Sequence, residues 1–282
     1  MHSFRLLNGN IEGLRWGQGR PVLALHGFLD NAMSFKPLSE HLKGVELWVI
    51  DIPGHGRSAP LDQGEGWTMM HWLPVLGRVL DELDWPEVTL LGHSMGAILA
   101  QMLAAVDPRV ERVISLDALG PMADTDEGNL DRLQEVYANR QGRVNRRRYY
   151  QSVEELWRVR TRGRFPLSLE SARLMSSRGI GFNDQGWFHR YDPRLRDPGL
   201  WRFTESQVVA LLQRIRCPVH LAVFLQSPLK LEEERWAHRQ AAVAQLHRMD
   251  FEGGHHAHME TPEPMADWVN TILKAHGGQP SS

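Results

Sequence analysis

Short runs of strand length, most of them largely apolar, alternate along this chain with longer stretches in which apolar side chains recur every three or four positions. Runs of the first kind cover residues 21–25, 45–50, 88–91, 110–116, 219–225 and 246–251 and read as strands, with 21–25, 45–50 and 88–91 read as buried ones. Stretches of the second kind predict helices over 34–42, 68–83, 206–215, 231–245 and 262–275, with Pro74 marking a kink or a late start in the second. At the front, 4–7 and 11–16 flank Asn8-Gly9-Asn10, a pattern that predicts a β-hairpin because Asn-Gly supplies positive φ. Strands alternating with helices imply an α/β fold whose mainly parallel sheet is covered on both faces. The alternation stops between 120 and 205, where short amphipathic helices over 130–139, 153–160 and 169–176 precede an aromatic-rich loop through Trp187, Phe188, Tyr191 and Trp201. This divides the chain into a core of 1–119 and 206–276, a helical insertion of 120–205, and a Gly-Gly-Gln-Pro-Ser-Ser tail, 277–282, expected to be disordered.

Composition narrows the function. Of 282 residues 42% are hydrophobic and 23% charged, and the net charge of −2 offers nothing to nucleic acid or to a membrane surface. Four lysines are present, none between Lys43 and Lys230, whereas arginines crowd 132–202, so the insertion differs in composition from its flanks. Cys217 has no partner for an internal disulfide and fits a reducing compartment. Met1-His2-Ser3-Phe4-Arg5 lacks the charged head and apolar core of a secretory signal, so a cytoplasmic location is expected. Residues 88–106 approach the length of a membrane span, but Gly92, His93, Ser94, Gly96 and Gln101 make them a buried core element, and no membrane span is expected.

The chemistry concentrates where the strand at 88–91 breaks into Gly92-His93-Ser94-Met95-Gly96 before a helix of small residues. This is the G-x-S-x-G elbow in its strand–turn–helix setting. Its glycines give the strained turn room, and the following helix aims its unpaired N–H groups and positive dipole end at the serine. His26, Asp51, Ser94, Asp117 and the cluster around His255 each follow a predicted strand, so they share one sheet edge. In His255-His256-Ala257-His258 no acid stands at a ligand spacing and no H-E-x-x-H is present, so neither a metal nor another cofactor is expected.

Together, His26-Gly27-Phe28, the Asp51-x-x-Gly54-x-Gly56-x-Ser58 turn, the elbow and Gly254-His255 resemble the α/β-hydrolase superfamily. Within it the chain looks most like the serine hydrolase-like group, through 116–121, 192–196 and His255-x-x-His258-Met259. The resemblance implies an eight-stranded, mainly parallel sheet with an inserted helical cap. It also implies Ser94 as nucleophile, His255 as general base, and an oxyanion hole from the backbone N–H groups of Phe28 and Met95. His26, Asp51, His55, Arg57 and His93 would brace the loops beneath the site, and His258 its own loop.

The acid departs from the common pattern. Its usual turn after the seventh strand reads Phe224-Leu225-Gln226-Ser227-Pro228, and Ser227 cannot carry the charge that orients an imidazolium. Asp117, at the end of the sixth strand beside the elbow strand, is the natural replacement; Glu232, Glu233 or no acid at all are the alternatives. The cap would supply Trp, Phe, Tyr and Met side chains to a pocket over Ser94. Its arginines, such as Arg146, Arg147 and Arg148, would form solvated faces, pair with cap acids or meet an anionic substrate.

The implied activity is cleavage of a small-molecule ester or thioester through an acyl-enzyme, without a cofactor. A serine nucleophile excludes the haloalkane dehalogenase and epoxide hydrolase chemistries, which need a carboxylate there. Hydrolysis of a carbon–carbon bond of meta-cleavage type and a ligand-binding module with little turnover remain as alternatives. No sequence feature sets the oligomeric state.

Overall fold

The computed structural model describes residues 1–60, 67–138, 147–197, 199–229 and 232–274. The main sheet is built from β1 (His2–Leu6), β2 (Ile11–Gly17), β3 (Arg20–Leu25), β4 (Val45–Ile50), β5 (Val88–His93) and β6 (Val110–Leu116) in the first part of the chain. Between β6 and the last two strands lies a hairpin of β7 (Ile180–Asn183) and β8 (Gly186–His189), after which β9 (Val219–Phe224) and β10 (Leu246–Phe251) return to the main sheet. Its order is β1-β2-β4-β3-β5-β6-β9-β10, with β1 and β2 antiparallel to their neighbours and the other pairs parallel.

Alternation along the central strands sorts their side chains onto two faces. Leu23, Leu25, Leu90, Val113 and Leu221 face one layer, which holds α2 (Trp72–Leu83), α3 (Met95–Ala104) and α7 (Glu205–Gln213). Val22, Ala24, Leu91, Ile114 and Ala222 face the other, with α1 (Lys36–Ser39) and α10 (Pro262–Lys274). The connecting helices α4 (Asp126–Ala138), α5 (Val153–Arg160) and α6 (Leu169–Gly179) lie between β6 and α7, while α8 (Glu233–Ala242) links β9 to β10 and α9 (Ala257–Glu260) precedes α10.

Several expectations are revised. The helix over 34–42 shrinks to a 3-10 turn, Ala32–Phe35, followed by the single turn of α1. Pro37 explains this, since it lacks an N–H and fits only the first turn of a helix. The hairpin turn is longer than Asn-Gly requires: Leu6 pairs with Ile11, and Leu7, Asn8 and Gly9 all take positive φ in a 3-10 turn. α4 starts at Asp126 rather than 130 because Thr125 Oγ1 accepts from Gly128 N at 3.0 Å, capping an earlier first turn. The aromatic loop folds partly as the β7–β8 hairpin. Pro74 sits in the first turn of α2, so the late start is the form the helix takes. Positions 139, 231, 275 and the tail 277–282 lie outside the described residues. Among those described, no helix is long and apolar enough to cross a membrane.

Candidate active site

β5 ends in the middle of the sheet, between β3 and β6, and turns abruptly into α3. Ser94 carries the turn at φ 51° and ψ −116°, a conformation that a non-glycine residue holds only when its surroundings enforce it. Those surroundings are tight. A Cβ on Gly96 would run into the Leu25 carbonyl, and one on Gly92 into the backbone of Gly96 and Ala97. Ser94 N donates to Leu116 O at 2.9 Å and Ser94 O accepts the first helical bond from Ile98 N at 3.1 Å. All ten residues of α3 are buried, which fixes the helix axis behind the serine.

Asp117 follows β6 in a left-handed conformation, φ 59°. Its Oδ1 accepts from Phe224 N at 3.2 Å, and its Oδ2 accepts from His255 Nδ1 at 2.6 Å. Ser227 Oγ lies 3.5 Å from the same imidazole nitrogen, so the turn after β9 reaches the histidine even though its residue is uncharged. Glu232 is exposed and lies 4.0 Å from Arg235, Glu233 opens α8, and neither hydrogen-bonds His255 among the described residues. Burial dominates both partners of the pair: it pushes the Asp117 carboxyl up to about 7, against hydrogen bonds from Ser227 and Phe224, and the His255 imidazole down to about 3. A neutral His255 whose Nδ1–H is held by the carboxylate keeps its Nε2 lone pair free to accept a proton.

The loop carrying His255 is tied to the elbow, because His93 Nε2–H donates to the His255 carbonyl at 2.7 Å and the two rings lie 4.7 Å apart. Phe28 and Met95 line the same cavity as Ser94, and their N–H groups have no acceptor among the described residues. The bracing residues are engaged as their turns require. His26 Nε2 accepts from Ile52 N at 3.0 Å, and His55 Nδ1 lies 3.3 Å from Ile52 O. Asp51, fully buried, accepts from Ala32 N at 2.8 Å, Arg57 N at 2.7 Å and Arg178 Nε at 2.7 Å. His258 is buried with its ring 4.1 Å from that of His93.

Other neighbours have no signature in the sequence. Phe165 packs its ring 4.3 Å from that of His255, and Trp67 stacks on Phe28 at 5.6 Å. Asp30 is bonded to Arg160 of α5 and lies 3.2 Å from His256 Nε2. Its place just after the His26-Gly27-Phe28 turn is a signal that sequence reading could have used. Arg147 donates to the His189 carbonyl at 2.5 Å and lies over Phe188, whereas Arg148 is exposed, as a solvated face requires, with its guanidinium over Tyr150. Arg146 lies outside the described residues.

The cavity over Ser94 measures about 520 Å³, inside the range of roughly 300–1,000 Å³ usual for small-molecule sites. Met122, Phe165, Trp201 and Phe203 come to its wall from the segment between β6 and α7, and Phe28, Trp67 and Met95 from elsewhere. Among the described residues no tyrosine joins them.

The sheet order, the strained serine at its centre and the Asp–His pair at its edge define an α/β hydrolase of the serine hydrolase type. The family described as alpha/beta hydrolase fold matches residues 20–262, and the chain belongs to it. Within that family it is similar to the serine hydrolase-like group. It is 29% identical to a serine hydrolase-like protein of Dictyostelium discoideum, over 89% of this chain and 75% of that one, and 29% identical to a probable serine hydrolase of Drosophila melanogaster, over 94% and 85%. Among solved structures, a hypothetical protein of Pseudomonas aeruginosa superposes with a TM-score of 0.88 at 32% identity, covering 99% of this chain and 100% of the other. A thioesterase domain from the curacin biosynthetic pathway shares the fold with a TM-score of 0.78 at 24% identity, over 92% and 94%.

Proposed function

We propose that this protein cleaves carboxylic esters or thioesters through an acyl-enzyme, with Ser94 as nucleophile, His255 as general base and Asp117 as the acid. The observation that carries the reading is the 2.6 Å hydrogen bond between Asp117 and His255, two residues 138 positions apart that meet at the sheet edge bearing the strained Ser94.

Ser94 Oγ attacks the carbonyl carbon while its proton passes to His255 Nε2, because a serine alkoxide is inaccessible at neutral pH. The negative charge that gathers on the carbonyl oxygen is received by the N–H groups of Met95 and Phe28 and by the N-terminal end of α3. Asp117 stabilises the imidazolium formed in this step and fixes its tautomer. The imidazolium then protonates the departing alcohol or thiol as the carbon–oxygen or carbon–sulfur bond breaks, and a water activated by the regenerated imidazole hydrolyses the acyl-enzyme.

Residues 120–205 act in this reading as a helical cap over a core of 1–119 and 206–276. Their Met122, Phe165, Trp201 and Phe203 give the chamber a mostly apolar wall that suits a small substrate with a hydrophobic acyl or leaving group, while Arg132, Arg164, Arg196 and Arg202 line it as well. The test is labelling by a fluorophosphonate, followed by turnover of a panel of acyl esters and thioesters of graded length. Wild type should label and turn over, and Ser94→Ala should do neither. A wild-type protein that fails to label favours a ligand-binding module instead.

A further inference from the structure

We infer that Asp30, His93 and His256 form a binding site for a divalent first-row transition ion such as Zn(II), directly behind the Ser94 elbow. The three side chains offer one carboxylate oxygen and two imidazole nitrogens that all lie within 4.8 Å of one another, and all three are buried. Asp30 Oδ2 is 3.2 Å from His256 Nε2 and 3.8 Å from His93 Nδ1. A tetrahedral ion at roughly 2.0–2.2 Å from each donor would hold its ligand atoms about 3.3–3.6 Å apart, so small side-chain adjustments complete the set.

The tautomer of His93 supplies a second, independent argument. Its Nε2 must carry the proton, because it donates to the carbonyl of His255. Its Nδ1 therefore points a lone pair toward the Asp30 carboxylate, fully buried and with no hydrogen-bond partner. Asp30 already has Arg160 on one oxygen and His256 beside the other, so His93 Nδ1 is the unmatched atom, and a cation seated among the three side chains would satisfy it. Gly27 keeps that space open, since a Cβ there would stand 2.8 Å from both Asp30 Oδ2 and His93 Nδ1.

Arg160 is the present counter-ion of Asp30, and its side chain is 20% exposed, so it can swing outward as an ion takes the other carboxylate oxygen. Neutral imidazoles and a carboxylate are the donor set of zinc sites rather than of magnesium or calcium sites. The ligands bracket the reactive residues, with His93 preceding Ser94 and His256 following His255. An ion held there restrains both loops, and it would slow turnover if the proposed hydrolase function holds. Binding itself does not depend on that function.

The experiment titrates chelator-treated full-length protein with Co(II), read by the visible d–d band of the bound ion and by equilibrium dialysis. Wild type and Ser94→Ala should each take up one ion per chain, which separates this site from the catalytic reading. Asp30→Asn and His256→Gln, checked for folding by thermal melting, should weaken binding by about 100-fold. Should both variants unfold, Gly27→Ala fills the space and should give the same loss. No stoichiometric uptake by wild type, or equal uptake by the folded variants, overturns the inference.

Discussion

Oδ2 of Asp117, at the end of β6, lies 2.6 Å from Nδ1 of His255, while Ser227, in the turn after β9, stands 3.5 Å from the same nitrogen. One histidine is thus reached from two adjacent strand ends, and only one of them carries a charge. Asp117→Asn removes the charge and retains the shape, so it should lower kcat by about 10³–10⁴-fold with an unchanged melting temperature. In that background Ser227→Asp should recover at least about tenfold, because an acid at 3.5 Å can still orient the ring. Steady-state kinetics on the best ester of the panel decides both, and near-normal turnover by Asp117→Asn would move the acid elsewhere.

The pair also sets a pH profile. With burial lifting Asp117 to about 7 and depressing His255, a second proton on the pair removes the base, and losing it creates the base. The acylation rate should therefore rise with pH and reach half its maximum near pH 7, the apparent value belonging to the pair. Pre-steady-state acylation measured from pH 5 to 9 tests this, and a rate independent of pH across that window contradicts it.

Gly96 has no room for a side chain, because any Cβ meets the Leu25 carbonyl. Gly96→Ala should cost about 1–3 kcal/mol or more, read as a lower midpoint in urea unfolding, and should reduce fluorophosphonate labelling as the elbow shifts. An unchanged midpoint would mean the turn is looser than its contacts indicate.

Arg178, 5% exposed, is the buried partner of Asp51 at 2.7 Å. Arg178→Met leaves that carboxylate uncompensated and should destabilise the protein by about 3–5 kcal/mol. The loss should shrink in the double variant Arg178→Met, Asp51→Asn, since the uncompensated charge is then gone; calorimetry of the two proteins distinguishes charge from packing.

Local pattern was enough to announce the architecture. Apolar runs such as 21–25 and 88–91 fit strands covered on both faces, and the glycines around Ser94 describe an elbow without reference to anything distant. The details that escaped have local causes too: Thr125 moved the start of α4 through one cap, and Pro37 shortened the helix after β3.

What the polypeptide determined by itself was the alternation that builds the sheet and the residue types waiting at its edge, because periodicity and turn chemistry act over a few positions. Which of those residues meet was decided by tertiary structure alone. Asp117 and His255 are 138 positions apart, and Asp30 and His256 are 226 apart, and both pairs exist only because parallel crossovers bring successive strand ends to the same side of the sheet. Strand order converts distance along the chain into contact, and no spacing along the chain records it.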